Sequence, residues 1–66
     1  MRYELRADED IDAPVTVWRG NRKPTQADVD MAAGSACERG WNGTTLDLYE
    51  DGRWLEWVKP SDEVLA

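Results

Sequence analysis

The dipeptide Asp51-Gly52 stands between two runs that alternate apolar and polar side chains, "TTLDLYE" before it and "RWLEWVK" after it. A two-residue hairpin loop of type I′ needs positive φ at both central positions, which Asp and Gly accept readily, so this is the strongest short-range hairpin signal a sequence can carry. Residues 44–50 and 53–59 are therefore read as two antiparallel strands, and the rest of the chain must be arranged around them. A regular ladder counted out from the turn sets Glu50 opposite Arg53, Tyr49 opposite Trp54, Leu48 opposite Leu55, Asp47 opposite Glu56 and Leu46 opposite Trp57. One face then holds Leu46, Leu48, Leu55 and Trp57, which is the core side. The other holds Tyr49 beside Trp54 and Asp47 beside Glu56.

Two further strands and one helix are legible upstream. "RYELRA" (2–7) alternates, with Tyr3, Leu5 and Ala7 on one face and Arg2, Glu4 and Arg6 on the other. "VTVWR" (15–19) is β-branched and aromatic and starts after Pro14, where a proline harms a ladder least. Regular alternation puts Val15 and Val17 on one side and Thr16 and Trp18 on the other. Thr25 is a suitable N-cap for a helix over 26–39, with Asp28 and Asp30 near the positive end of its dipole. Val29, Ala32, Ala33, Ala36 and Cys37 recur at helical spacing as a stripe of small side chains, so the helix can lie close on a sheet and Cys37 is expected to be a buried, inert thiol. Gly40 supplies the left-handed stop, and Trp41 falls where the chain packs back against Ala36. "KPSDEVLA" suggests a last helical turn from Ser61. The expected architecture is α+β: an antiparallel sheet of about four strands with one helix on one face, in the order β-β-α-β-β, as a single domain over 1–66.

A chain of 66 residues buries only about 60% of its unfolded surface, which leaves little room for an enclosed cleft. There is no histidine, so the usual general base is missing, and no Gly-rich phosphate loop, zinc spacing or cysteine pair appears. Asp47 and Glu56 on an open sheet lack the enclosing pocket that tunes an acid and a base. No enzymatic activity, cofactor or metal is expected. The sharpest metal motif is Asp8-x-Asp10-x-Asp12 in "RADEDIDAP", the spacing of the first three ligands of a calcium loop. It fails downstream, because Ala13 stands where the turn wants glycine and Arg19 where a bidentate Glu closes the shell. Asp8, Glu9, Asp10 and Asp12 read instead as an acidic loop between two strands, anchored by Ile11.

Fourteen Asp and Glu against eight Lys and Arg give a net charge of −6, which repels nucleic acid phosphates and anionic membranes, and the cluster Arg19, Arg22 and Lys23 is too small to reverse that. The N-terminus has no apolar signal segment, no apolar run approaches the length of a membrane span, and Cys37 is alone. These features point to a soluble, cytoplasmic chain with a basic protein partner.

One helix covers one face of a sheet, so the other face is open. Trp18, Tyr49 and Trp54 are expected there, beside the like-charged pair Asp47 and Glu56, which costs a few tenths to about 1 kcal/mol and serves no folding purpose. Exposed aromatics flanked by carboxylates suit an interface that accepts Arg or Lys. The expected contact set is Asp8, Glu9, Asp10, Asp12, Trp18, Asp47, Tyr49, Glu50, Asp51, Trp54 and Glu56. Self-association through the open face, as a homodimer or an assembly protein, is the alternative, and an ordinary cross-strand aromatic pair with Arg2, Arg6 or Arg19 between the acids is a purely structural one. In size and charge the chain resembles the small acidic phage-encoded inhibitors of bacterial defence, the anti-CRISPR and anti-restriction proteins, some of which present carboxylates in place of DNA phosphates. That resemblance implies an inhibitor whose anionic surface occupies the nucleic-acid channel of a host complex.

Overall fold

A computed structural model describes residues 1–61; of the last helical turn expected from the sequence, everything beyond Ser61 lies outside the described residues. The elements are β1 (Tyr3–Ala7), β2 (Val15–Gly20), α1 (Gln26–Glu38), β3 (Leu46–Glu50) and β4 (Arg53–Val58), in the expected order β-β-α-β-β. The four strands form one antiparallel sheet in the spatial order β2-β1-β3-β4, so β1 and β3 are central and β2 and β4 are the edges. The hairpin turn is as its dipeptide demands, with φ of 49° at Asp51 and 83° at Gly52.

Helix α1 is closed at both ends by local chemistry. Thr25 accepts from the Asp28 N–H while the Asp28 carboxylate accepts from the Thr25 N–H, a reciprocal box that satisfies two orphan donors. At the other end Gly40 (φ 93°) turns left-handed, its N–H donates to the Cys37 carbonyl and the Trp41 N–H donates to the Ala36 carbonyl. This return buries Trp41 in the core. Cys37 is exposed, contrary to expectation. It sits about 100° further round the helix than Ala36, at the flank of the stripe, and only Val29, Ala32, Ala33 and Ala36 reach the sheet.

The core lies between α1 and one sheet face, with Tyr3, Leu5 and Ala7 from β1 and Leu46 and Leu48 from β3 meeting that small-residue stripe. The bulk that fills the space comes from Trp41 and, partly buried, Trp18, not from Trp57. Both edge strands carry an extra residue that explains this difference. In β4 the ladder runs Glu50–Arg53, Tyr49–Trp54, then Leu48–Glu56, Asp47–Trp57 and Leu46–Val58, so Leu55 is a bulge. In β2 it runs Leu5–Trp18 and then Arg6–Thr16, so Val17 is one as well. Because side chains alternate with period two, each bulge reverses the faces beyond it relative to a regular ladder. Trp18 moves to the core side, and its ring occupies the space a Cβ on Gly20 would need. Trp57 moves to the open side, and Leu55 is partly exposed instead of buried.

Candidate functional site

The face of the sheet away from α1 is built from two rows of side chains that cross all four strands. Arg19, Glu4, Tyr49 and Trp54 form one row, and Thr16, Arg6, Asp47 and Trp57 form the next. The halves of this face differ in character.

On the β2–β1 half, Glu4 is buried and gathers two cations. Arg6 donates to one of its oxygens at 2.8 Å, and Arg19 Nε donates to the other at 3.1 Å. The Arg6 bond first, and the Arg19 bond after it, hold the Glu4 carboxyl below the usual carboxylate range. Arg2 lines the same shallow furrow as Glu4 and Arg19. The Arg6 guanidinium lies over the Tyr49 ring, 4.0 Å from its centroid, and its buried Nε has no partner among the described residues.

On the β3–β4 half the aromatics lie together. Trp54 and Trp57 meet edge to face, with ring centroids 5.2 Å apart, and remain 46% and 60% exposed. Trp54 Nε1 donates to Asp47 Oδ1 at 3.0 Å, so the Asp47 carboxylate, 7% exposed beneath the rings, is held by an indole. Tyr49 Oη donates to Asp8 Oδ2 at 2.8 Å, a bond that raises the phenol pKa and ties the acidic loop to this face. The loop is tied a second time where the Asp10 carbonyl accepts from the Asn42 N–H, with Asp10 itself in the left-handed region (φ 59°).

Of the residues expected to make a contact surface, Asp47, Tyr49 and Trp54 come together here and Asp8 joins them. Glu9, Asp10 and Asp12 are exposed along the loop, and Asp51 is in the turn, where its carboxylate accepts from the Arg2 N–H. Three do not join them. Trp18 is on the core side. Glu50 pairs with Tyr3 and Glu56 with Leu48, both on the helix side, where Glu56 lies 3.9 Å from Lys23 Nζ. Asp47 and Glu56 therefore do not face one another, and the expected like-charge pair is replaced by Asp47 opposite Trp57. Trp57 is the residue that sequence reasoning missed. No signal in the sequence reveals it, because Trp54 and Trp57, three residues apart, share a strand face only across a one-residue bulge.

Among the described residues no group of three or more potential ligands is placed to hold a metal ion, and no helix is long and apolar enough to cross a membrane. Comparison of the chain with family models, with curated proteins and with solved structures found no match.

Proposed function

We propose that this chain is a protein-binding module that docks through Trp54 and Trp57, with the acidic loop 8–12 guiding it to a basic surface of its partner. The observation that carries the reading is the exposure of two adjacent tryptophans on the face α1 leaves open. Covering roughly another 100 Å² on each ring at about 25 cal/mol per Å² amounts to some 5 kcal/mol before the costs of association, enough to anchor a small interface. Folding makes no comparable use of that surface.

The charge supports the choice of partner. Among the described ion pairs, only Glu4, Asp28 and Glu56 of the carboxylates are engaged, while Glu9, Asp10 and Asp12 face solvent beside Asp8. With a net charge of −6, encounter with a Lys- and Arg-lined surface is accelerated and encounter with nucleic acid is slowed. The specific form of this function that we propose, from the resemblance in size and charge, is an inhibitor that covers a nucleic-acid-binding surface in the cytoplasm of a bacterium under phage attack.

The test is capture by the immobilised chain from a bacterial lysate at low and high salt. The partner is expected to be lost on raising the salt, lost in Trp54→Ser/Trp57→Ser, and weakened in Asp8→Asn/Glu9→Gln/Asp10→Asn/Asp12→Asn. A partner retained in full by the double tryptophan variant would remove the open face from the mechanism.

A further inference from the structure

We propose that, at high concentration and with no partner bound, the open face is covered by a second copy of this chain, related by a two-fold axis that runs along the strands between β1 and β3. This rests on the reading of that face as a contact surface and adds a competing, self-made occupant. The argument begins with the two unlike halves of the face. The β2–β1 half sets two cations, Arg6 and Arg19, about one carboxylate, Glu4, with Arg2 and Asp51 together at its margin, and the β3–β4 half sets two exposed indoles over Asp47. Rotation about the stated axis lays each half on its opposite in the other copy, so the face is complementary to itself.

The row order makes the contacts specific. Arg19 and Trp54 end one row, so Arg19, whose side chain is 69% exposed, comes to lie over Trp54 of the second copy, while Thr16 lies over Trp57. A guanidinium on an indole face is a favourable cation–π contact, and two sheets packed with nearly aligned strands are a common sandwich geometry. Edge-to-edge pairing is the other way to join two sheets. It is disfavoured here, because both edges carry a bulge that bends the outer strand.

The area limits the strength. Four strands at about 4.8 Å and five residues at about 3.4 Å give a projected face near 320 Å² per copy, well below the roughly 800 Å² per partner of a standard interface. The same rotation brings both acidic loops to one end, and each copy carries a net charge of −6. Association is therefore weak and opposed by long-range repulsion, which salt screens. Self-association should tighten with salt, whereas binding to a basic partner should loosen.

Sedimentation equilibrium of the full chain from about 10 µM to about 1 mM tests this, in roughly 20 mM and 300 mM salt. The expected result is a monomer at the low end, a dimer at the high end, tighter association in the higher salt, and at least fivefold weaker association for both Arg19→Ala and Trp57→Ser, with the native far-UV circular dichroism retained. A monomer at the highest concentration in both salts overturns the inference, as does a dimer that loosens with salt or is unchanged in both variants. The capture experiment at nanomolar chain decides the contact-surface reading separately, because the chain is monomeric there on either outcome.

Discussion

The chain has four tryptophans, and the fold divides them into two pairs with opposite fates. Trp41 and Trp18 lie on the helix side. Trp41 is held by the helix-terminating turn, and Trp18 lies against Gly20. Trp54 and Trp57 lie on the open side, edge to face with each other and about half exposed, with Trp54 also bonded to Asp47. The difference does not come from the residue type or from local hydrophobicity. It comes from backbone devices: a left-handed glycine that returns Trp41 to the core, and single-residue bulges that decide the face of Trp18 and Trp57. A strand tryptophan of this chain lies on the helix side or the open side according to the parity of its position counted through the bulge.

The largest effect expected from this comparison is on stability, at Trp41. Trp41→Ala should cost about 3–5 kcal/mol, read from urea denaturation, because it empties the space against Ala36 and removes the largest buried ring. For a domain this small that is most or all of its stability. A loss below about 1 kcal/mol would mean that the buried pair is no more structural than the exposed one.

Part of this division is legible in the sequence, and the reason for the remainder is specific. The helix start at Thr25, its end at Gly40, the burial of Trp41 and the Asp51-Gly52 turn all rest on short-range backbone chemistry carried by a few adjacent residues, and all four are present. The faces of Trp18, Leu55, Glu56 and Trp57 rest on counting along a strand, and counting fails at an inserted residue. Neither Val17 nor Leu55 announces a bulge, since both are ordinary strand formers in apolar surroundings. The exposure of Cys37 escapes the pattern for a related reason, because a helical stripe has a flank that periodicity alone does not resolve. The bond from Trp54 to Asp47 and the stacking of Arg6 on Tyr49 are side-chain choices within a row and leave no mark on the pattern.

A second test separates the two halves of the open face. Glu4→Gln should cost about 1–3 kcal/mol, since it leaves Arg6 and Arg19 without their shared carboxylate in a buried position. The pH dependence follows from the direction of the shift. With the folded Glu4 pKa lowered, its contribution is fully present above the unfolded value of about 4.3 and is lost as the pH falls below that, toward the folded value. Asp28 and Asp30, lowered by bonds from Thr25 and from Ser61 respectively, act in the same direction. Urea midpoints should therefore be level above about pH 5 and fall in acid, with a shallower fall in Glu4→Gln. Equal slopes for the two proteins would show that Glu4 is not a linked site.

The bulge itself can be removed. Leu55 is the extra residue of β4 and is partly exposed, so deleting it should restore a regular ladder while leaving Tyr49–Trp54, Leu48–Glu56 and Asp47–Trp57 paired as before. The expected change in stability is within about 1 kcal/mol of zero, with the two indoles still edge to face and still solvent-exposed by fluorescence. If the ladder were regular in the intact chain, the same deletion would turn Trp57 over and exchange its face with that of Glu56, and both the stability and the emission would change sharply.

The smallest effect on stability belongs to the residue on which function is proposed to depend most. Trp57 is the more exposed of the pair and has no hydrogen bond among the described residues, so Trp57→Ser should shift the unfolding free energy by no more than about 0.5 kcal/mol. Trp54→Ser should cost more, about 1 kcal/mol or somewhat above, because it also strips the buried Asp47 carboxylate of its indole donor. Asp47 thus links the two roles of the β3–β4 half: the bond that orients the Trp54 ring toward Trp57 also satisfies a charge the sheet has buried. A partner that binds Trp57→Ser weakly but Trp54→Phe normally would locate the contact on the outer ring. The reverse order would locate it on the ring that Asp47 holds, and the orientation imposed by that carboxylate would then be the feature the partner reads.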